Sequence, residues 1–309
     1  MVAETLPRVL VVGMGALGRI YCSALAGRVD VRGLARTGEQ AARITNHGFV
    51  VRRSGTDQVV RVACYPPAEG GWRAALGVLL TKSTATSAAV AALAPLLAPG
   101  APVITLQNGL GNRETIAAAL GEGRAAWGVS YVAGTAVDGD VIELVNPGET
   151  VFGTPSSGAA VLPELVRALC EGGLPARVSD QVGGLAWFKV VIAGAMNVTG
   201  ALSGLEVGRF WADPEWRRFL TAMVEEAAAV GAAEGTAVEA AAVMAGVAGI
   251  AERAPRTTPS MLQDVRRRRP TEVEAMTGEL VRRAGRHGLD VPTLREALAR
   301  MRRLEASWG

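Results

Sequence analysis

The strand-like run RVLVVG (8–13) opens directly into Gly13-Met14-Gly15-Ala16-Leu17-Gly18, and this into a helix-forming stretch over 16–26. Three glycines at this spacing, between a buried strand and a helix, constrain the chain more than any other feature. The first permits a tight turn, the second lets a pyrophosphate approach the backbone, and the third lets the helix lie close to the strand. The amides that begin the helix then have no intrahelical partner and can bind phosphate. Gly13, Met14, Gly15, Ala16, Leu17 and Gly18 are therefore the expected dinucleotide-binding turn.

Beyond this turn the chain keeps the alternation that such a motif requires. Strands are expected over 30–36, 59–65, 77–81 and 101–107, with helices over 38–47 and 84–97. Strand and helix in alternation call for a parallel sheet covered on both faces. Residues 125–153 change character: SYVAG, DGDVIELV and GETVFG are short extended pieces between Asp-Gly and Pro-Gly turns, as in an antiparallel extension. A helix over 160–171 and a strand over 175–178 come next. From Gln181 onward only helices are expected, over 181–202, 213–235, 236–251, 260–268, 271–287 and 292–306. The predicted fold is α/β: an N-terminal Rossmann-like doubly wound sheet (1–180), followed by an all-helical domain (181–309) for substrate and catalysis.

Composition excludes several classes. At 309 residues, 49% hydrophobic and 20% charged, the chain has enough apolar material for two cores and does not read as disordered. A net charge of +3 is too small to imply nucleic acid. Arg266–Arg269 has no interleaved aromatics and reads as a solvated face. Cys22, Cys64 and Cys170 are scattered, as suits a reducing, cytoplasmic setting, and two distant histidines argue against a metal centre. The start has an acid before its apolar stretch and no basic region, so no signal peptide is expected. Segment 182–205 is apolar enough to raise the question of a membrane span, but Lys189 and many small residues argue for a core helix. No membrane partner is expected.

Individual residues then suggest chemistry. The second strand ends in Arg36 where an acid would bind a ribose 2′-hydroxyl, and an arginine there suits the 2′-phosphate of NADP. Of 32 lysines and arginines, only Lys82 and Lys189 are lysine. Lys189 lies among Phe188, Val190, Val191 and Ile192, where an ammonium is costly unless paired and its pKa is open to adjustment. Helical spacing puts Ala193 and Asn197 on the same face. Lys82 and Asn108 each follow a sheet strand, at the end where open α/β folds bind ligands. Asn108-Gly109 is equally good turn chemistry, and Asn112 a helix cap. Ser260–Gln263 and Thr271–Glu274 have the pattern of capping boxes, and the helix dipole alone would favour Glu272 near a helix start.

Taken together, GMGALG, TKS, LQNGLGN, WFK…N…TGAL and SMLQD…RPTEVEAMTGELVRRAGRHGLDVP resemble the ketopantoate reductase (2-dehydropantoate 2-reductase) family over essentially the whole chain. The resemblance implies an NADPH-dependent reduction of a 2-oxo acid to a 2-hydroxy acid in pantothenate biosynthesis, by a cytoplasmic enzyme that is often a homodimer. It implies that Lys189 is the catalytic proton donor and that Glu272 orients it and contacts the cofactor. Lys82 and Asn108 match positions that contact cofactor or acid, and Asn197 and Ser260 match substrate-binding positions. The family's asparagines are replaced by Ala193, Val207 and Thr257, which points to an altered substrate pocket. Two alternatives remain open: reduction of another ketone or an imine, and an NADP(H)-sensing protein without activity.

Overall fold

The structure, a computed structural model, describes residues 6–65 and 71–308. Residues 1–5, part of the stretch on which the signal-peptide expectation rests, lie outside these. The chain divides into two compact units, one of residues 1–107 and 112–182, the other of residues 108–111 and 183–309.

The first unit holds a ten-stranded sheet. Its elements run β1 (Arg8–Val12), α1 (Ala16–Leu25), β2 (Asp30–Leu34), α2 (Gly38–His47), β3 (Phe49–Arg53), β4 (Thr56–Val60), β5 (Cys64–Tyr65) and β6 (Leu76–Leu79). They continue with α3 (Thr86–Leu93), β7 (Val103–Thr105), α4 (Asn112–Leu120), β8 (Ala125–Asp138), β9 (Val141–Phe152), α5 (Leu162–Glu171) and β10 (Ala176–Val178). Strands β5-β2-β1-β6-β7-β8 are mutually parallel neighbours in that order. The order reverses at β1, which is the doubly wound arrangement, with its ligand crevice beyond the carboxyl end of that strand.

Burial on both faces explains the unbroken apolar run of β1. Successive side chains point to opposite sides of a strand. Val9 and Val11 join one core with Ile20, Leu25, Ile44 and Leu165. Leu10 and Val12 join the other with Val90, Leu93, Val103 and Ile116. Each such side chain, fully buried, contributes about 1.5–3 kcal/mol.

Beyond β8 the sheet becomes mixed. The three short pieces expected over 125–153 are one long antiparallel ribbon, β8 on β9, with register shifts at 130/132, 133/134 and 136/138. These bulges are why the alternation looks broken in sequence. The single strand expected over 59–65 is replaced by β4 and β5, and β3, which the sequence does not announce, pairs with β4. A turn at Ser54 (φ 48) and Gly55 (φ 80) joins them, the two-residue hairpin form with both centres left-handed.

The second unit is helical, as expected: α6 (Val182–Ser203), α7 (Val207–Ala212), α8 (Pro214–Ala233), α9 (Ala240–Arg253), α10 (Ser260–Arg266), α11 (Glu279–Arg286) and α12 (Pro292–Ala306). Helix α6 is long and apolar enough to cross a membrane. It supplies Trp187, Val190, Val191 and Val198 to the core of this unit, where they pack with Phe210, Leu220, Val243 and Met276. The helix expected over 213–235 is preceded by α7, because Asp213 caps a new helix: its carboxylate accepts from Glu215 N (2.8 Å) and Trp216 N (3.3 Å), with Pro214 at the first turn. The segment expected over 236–251 becomes helical only at Ala240. The helix expected over 271–287 begins as a π turn, Glu274–Gly278, before α11.

Candidate active site

In the first unit the glycine turn has the expected division of labour. A methyl group at Gly13 (φ +99) would lie 2.8 Å from Thr81 N, and one at Gly18 would lie 1.9 Å from the Gly13 carbonyl oxygen. Packing therefore demands both. Gly15 differs, since a methyl there would meet nothing within 4 Å. The space beside it is what a pyrophosphate needs. Helix α1 begins next to it with no side-chain cap and no acid in its first turn, leaving its first amides and positive dipole end for an anion. The turn thus fits a dinucleotide.

Met14 contributes backbone alone, because its side chain is 2% exposed and fills the space beside Gly33. Its carbonyl accepts from Arg19 Nε (3.1 Å) and Gln40 Nε2 (3.2 Å). Arg36 is exposed past the end of β2, and its guanidinium makes no ion pair among the described residues. Thr37 caps α2, accepting from Gln40 N at 3.2 Å. Lys82 is exposed between β6 and α3, where it opens a 3-10 turn.

The second unit gathers Lys189, Glu272 and Asn108. Lys189 is half-buried as a residue, and its ammonium lies deep in the protein. Burial lowers its pKa to about 8, while the charge of Glu272 acts to raise it. Glu272 stands just before the π turn, its own carbonyl accepting from Ala275 N and Met276 N at 3.1 Å each. Its carboxylate accepts from Asn108 Nδ2 at 3.4 Å. Asn108 is brought there by its neighbours: Leu110 N donates to Ala275 O at 2.9 Å, and Gly109 (φ +91) sits where a methyl would come within 2.5 Å of the same oxygen.

One and two turns beyond Lys189 on α6 come Ala193, half-buried, and Asn197. Asn197 Oδ1 accepts from Ser260 Oγ and Met261 N, both at 3.0 Å. A backbone N–H can only donate, so the amide oxygen must face α10 and Nδ2 must face away. Neither expected capping box forms. Ser260 gives its proton to Asn197, Gln263 donates to Thr258 O (3.1 Å), Thr271 Oγ1 pairs with Glu305, and Glu274 pairs with Arg302 (2.7 and 3.0 Å). Ser260 and Glu274 find partners on other helices, while Thr271 Oγ1 keeps one local bond, accepting from Val273 N at 3.3 Å. Val207 is fully buried and its N–H donates to Thr257 O at 3.0 Å, while the Thr257 residue is exposed. Asn112 begins α4 with its side chain accepting from Thr86 Oγ1 at 2.8 Å.

Arg19, Gln40 and Asp140 are not marked by the sequence. Arg19 directly follows the glycine turn, a position that could have flagged it, but one arginine among so many gives little signal.

Two descriptions of known families match this chain: "Ketopantoate reductase PanE/ApbA" over residues 9–157 and "Ketopantoate reductase PanE/ApbA C terminal" over residues 182–305. The 2-dehydropantoate 2-reductase of Halobacterium salinarum is 31% identical over 291 residues, 93% of this chain and 95% of that protein. The chain belongs to the ketopantoate reductase family. A PanE/ApbA family ketopantoate reductase structure from Ralstonia eutropha shares its fold at TM-score 0.88 and 29% identity, covering 97% of this chain and 99% of that one. D-Mandelate dehydrogenase, in a ternary structure with NADH and anilino(oxo)acetate, has the same fold at TM-score 0.89 and 21% identity, over 97% and 99% of the two chains. As a ketopantoate reductase family member the protein is an oxidoreductase of the CH–OH/C=O couple, with a Rossmann-like N-terminal domain and a helical C-terminal one. Its reaction is oxo-acid reduction of the 2-dehydropantoate 2-reductase kind.

Proposed function

We propose that the protein uses NADPH to reduce a 2-oxo acid, 2-dehydropantoate or a close relative, to the 2-hydroxy acid. The observation that carries this reading is the placement of Lys189 on the apolar helix α6 within reach of the Glu272 charge, where burial lowers its pKa to about 8. When bound, the dinucleotide supplies the hydride. Gly15 and the amides that open α1 hold its pyrophosphate in the turn that Gly13 and Gly18 allow to pack, Arg36 takes the 2′-phosphate, and Lys82 contributes positive charge. Lys189 hydrogen-bonds the substrate carbonyl oxygen and gives it a proton as negative charge develops there. A pKa near 8 leaves this amine charged at neutral pH yet willing to part with its proton. Glu272 holds the ammonium in place, and Asn108 steadies Glu272. Asn197 offers its Nδ2 N–H groups to oxygen atoms of the acid, and Ser260 its lone pairs to a substrate donor.

Ala193, Val207 and Thr257 favour a second reading of the substrate, a 2-oxo acid with a larger or less polar chain. None of the three carries a side-chain amide, and a site lacking such groups gives up affinity for the carboxylate and hydroxyl of 2-dehydropantoate. NADPH oxidation measured with 2-dehydropantoate and a panel of 2-oxo acids decides between them. Lys189→Ala is expected to abolish turnover while retaining NADPH binding. Full activity in that variant would end the proposal.

A further inference from the structure

Two turns of the first unit would meet one coenzyme: the glycine turn after β1 and the β2–α2 turn that carries Arg36. A single side chain joins them. Gln40 donates through Nε2 to Met14 O in the first turn and accepts through Oε1 from Arg36 N (3.4 Å) in the second. Arg19, only 6% exposed, donates through Nε to the same Met14 carbonyl. Its far end is held at the β8–β9 turn, where Nη1 reaches Asp140 Oδ1 (3.3 Å) and Gly139 O (3.4 Å). The other oxygen of Asp140 takes Arg43 of α2 at 2.9 Å. Asp140 thereby clasps α1 and α2, and Gln40 closes the loop between their leading turns.

We infer that Gln40, together with Arg19 and Asp140, forms a positioning set that fixes the spacing between the pyrophosphate turn and the Arg36 turn, and so sets coenzyme affinity and the preference for a 2′-phosphate. The inference rests on the NADPH reading above. A dinucleotide has a fixed distance between its pyrophosphate and its 2′ substituent, so a slack Arg36 turn loses the second contact while the first survives. None of the three residues belongs to the group proposed to touch the reacting carbonyl. Gln40 acts through Arg36 and Met14, and Asp140 acts through Arg19.

The test uses the full-length protein and fluorescence titration with NADPH and NADH, alongside steady-state rates. Wild-type protein that binds neither coenzyme refutes the proposed function itself. Given binding, Gln40→Ala and Gln40→Glu should weaken NADPH about tenfold, the loss expected of one hydrogen bond, and weaken NADH less. Glutamate is the sharper probe, because it keeps the acceptor for Arg36 N and cannot donate to Met14 O. The rate at saturating coenzyme should stay within about twofold, since chemistry is untouched. Asp140→Asn should weaken both coenzymes, with Asp140→Glu recovering part of the loss. An unchanged ratio of the two affinities in both Gln40 variants, with thermal melts showing them folded, overturns the inference. So does a fall in the saturated rate with affinity unmoved.

Discussion

An ammonium inside an apolar helix pays for its position in acidity, and that cost has a readable sign. The folded pKa of Lys189, about 8, lies below the ordinary value of 10.5. Between these values the folded protein binds fewer protons than the unfolded chain. Stability contributed at this site therefore rises as pH climbs through the window and is lowest below about 8. Urea midpoints of wild type and Lys189→Met, compared at pH 7.5 and pH 10, should show wild type gaining on the variant at the higher pH; a constant gap would contradict it. As proton donor the same group makes reduction decline above pH 8, about tenfold per unit, and a rate profile flat from 7 to 10 would rule Lys189 out as the acid. Lys189 is legible in sequence because lysine is so rare here. Arg19 is not, since its chemistry depends on Asp140, more than a hundred positions away. Ser260 is half legible: its helix-start pattern is real, but the partner it finds is Asn197 on another helix.

At the scale of elements, the contrast between two glycines of one turn gives a clean prediction. Gly18→Ala forces a methyl onto the Gly13 carbonyl, 1.9 Å away, and should lower the melting temperature by several degrees, as a destabilisation of about 1–3 kcal/mol does. Gly15→Ala meets no protein atom, so its melt should match wild type while NADPH affinity falls. The reverse pattern in melts and titrations would contradict the roles given to the turn. Gly109→Ala combines a φ of +91 with a collision at Ala275 O, and should reduce turnover through Asn108 and Glu272 more than it reduces coenzyme binding. Long periodic elements such as α1 and α6 can be read from sequence to within a few residues. The β3–β4 hairpin cannot, because Arg52 and Arg53 break its apolar alternation on a strand near the sheet edge. The π turn is equally hidden: Glu274–Gly278 is a single turn, too short for a change of period to show in the sequence.

At the scale of the molecule, the first unit has a core on each face of its sheet and the second a core of its own, and coenzyme is proposed to bind residues of the first. A ligand that binds only folded protein, present at a hundred times its dissociation constant, adds about 2.7 kcal/mol to stability. Calorimetry should therefore show NADPH raising the melting transition of wild type and Lys189→Ala alike, but raising Gly15→Ala far less at the same concentration. A Lys189→Ala protein that no longer responds would make that lysine part of coenzyme binding. The sequence puts the change from strands to helices near residue 180, close to where contacts divide the chain at Val182. It does not reveal that residues 108–111, written in the middle of the first unit, belong by contact to the second, because that membership comes from partners far along the chain: Glu272 for Asn108, Ala275 for Leu110 and the helical core that buries Leu110. The helical half is thus assembled from two stretches of the gene. No single scission yields it whole: a fragment starting at Gly183 would lack Leu110 and the N–H that satisfies Ala275.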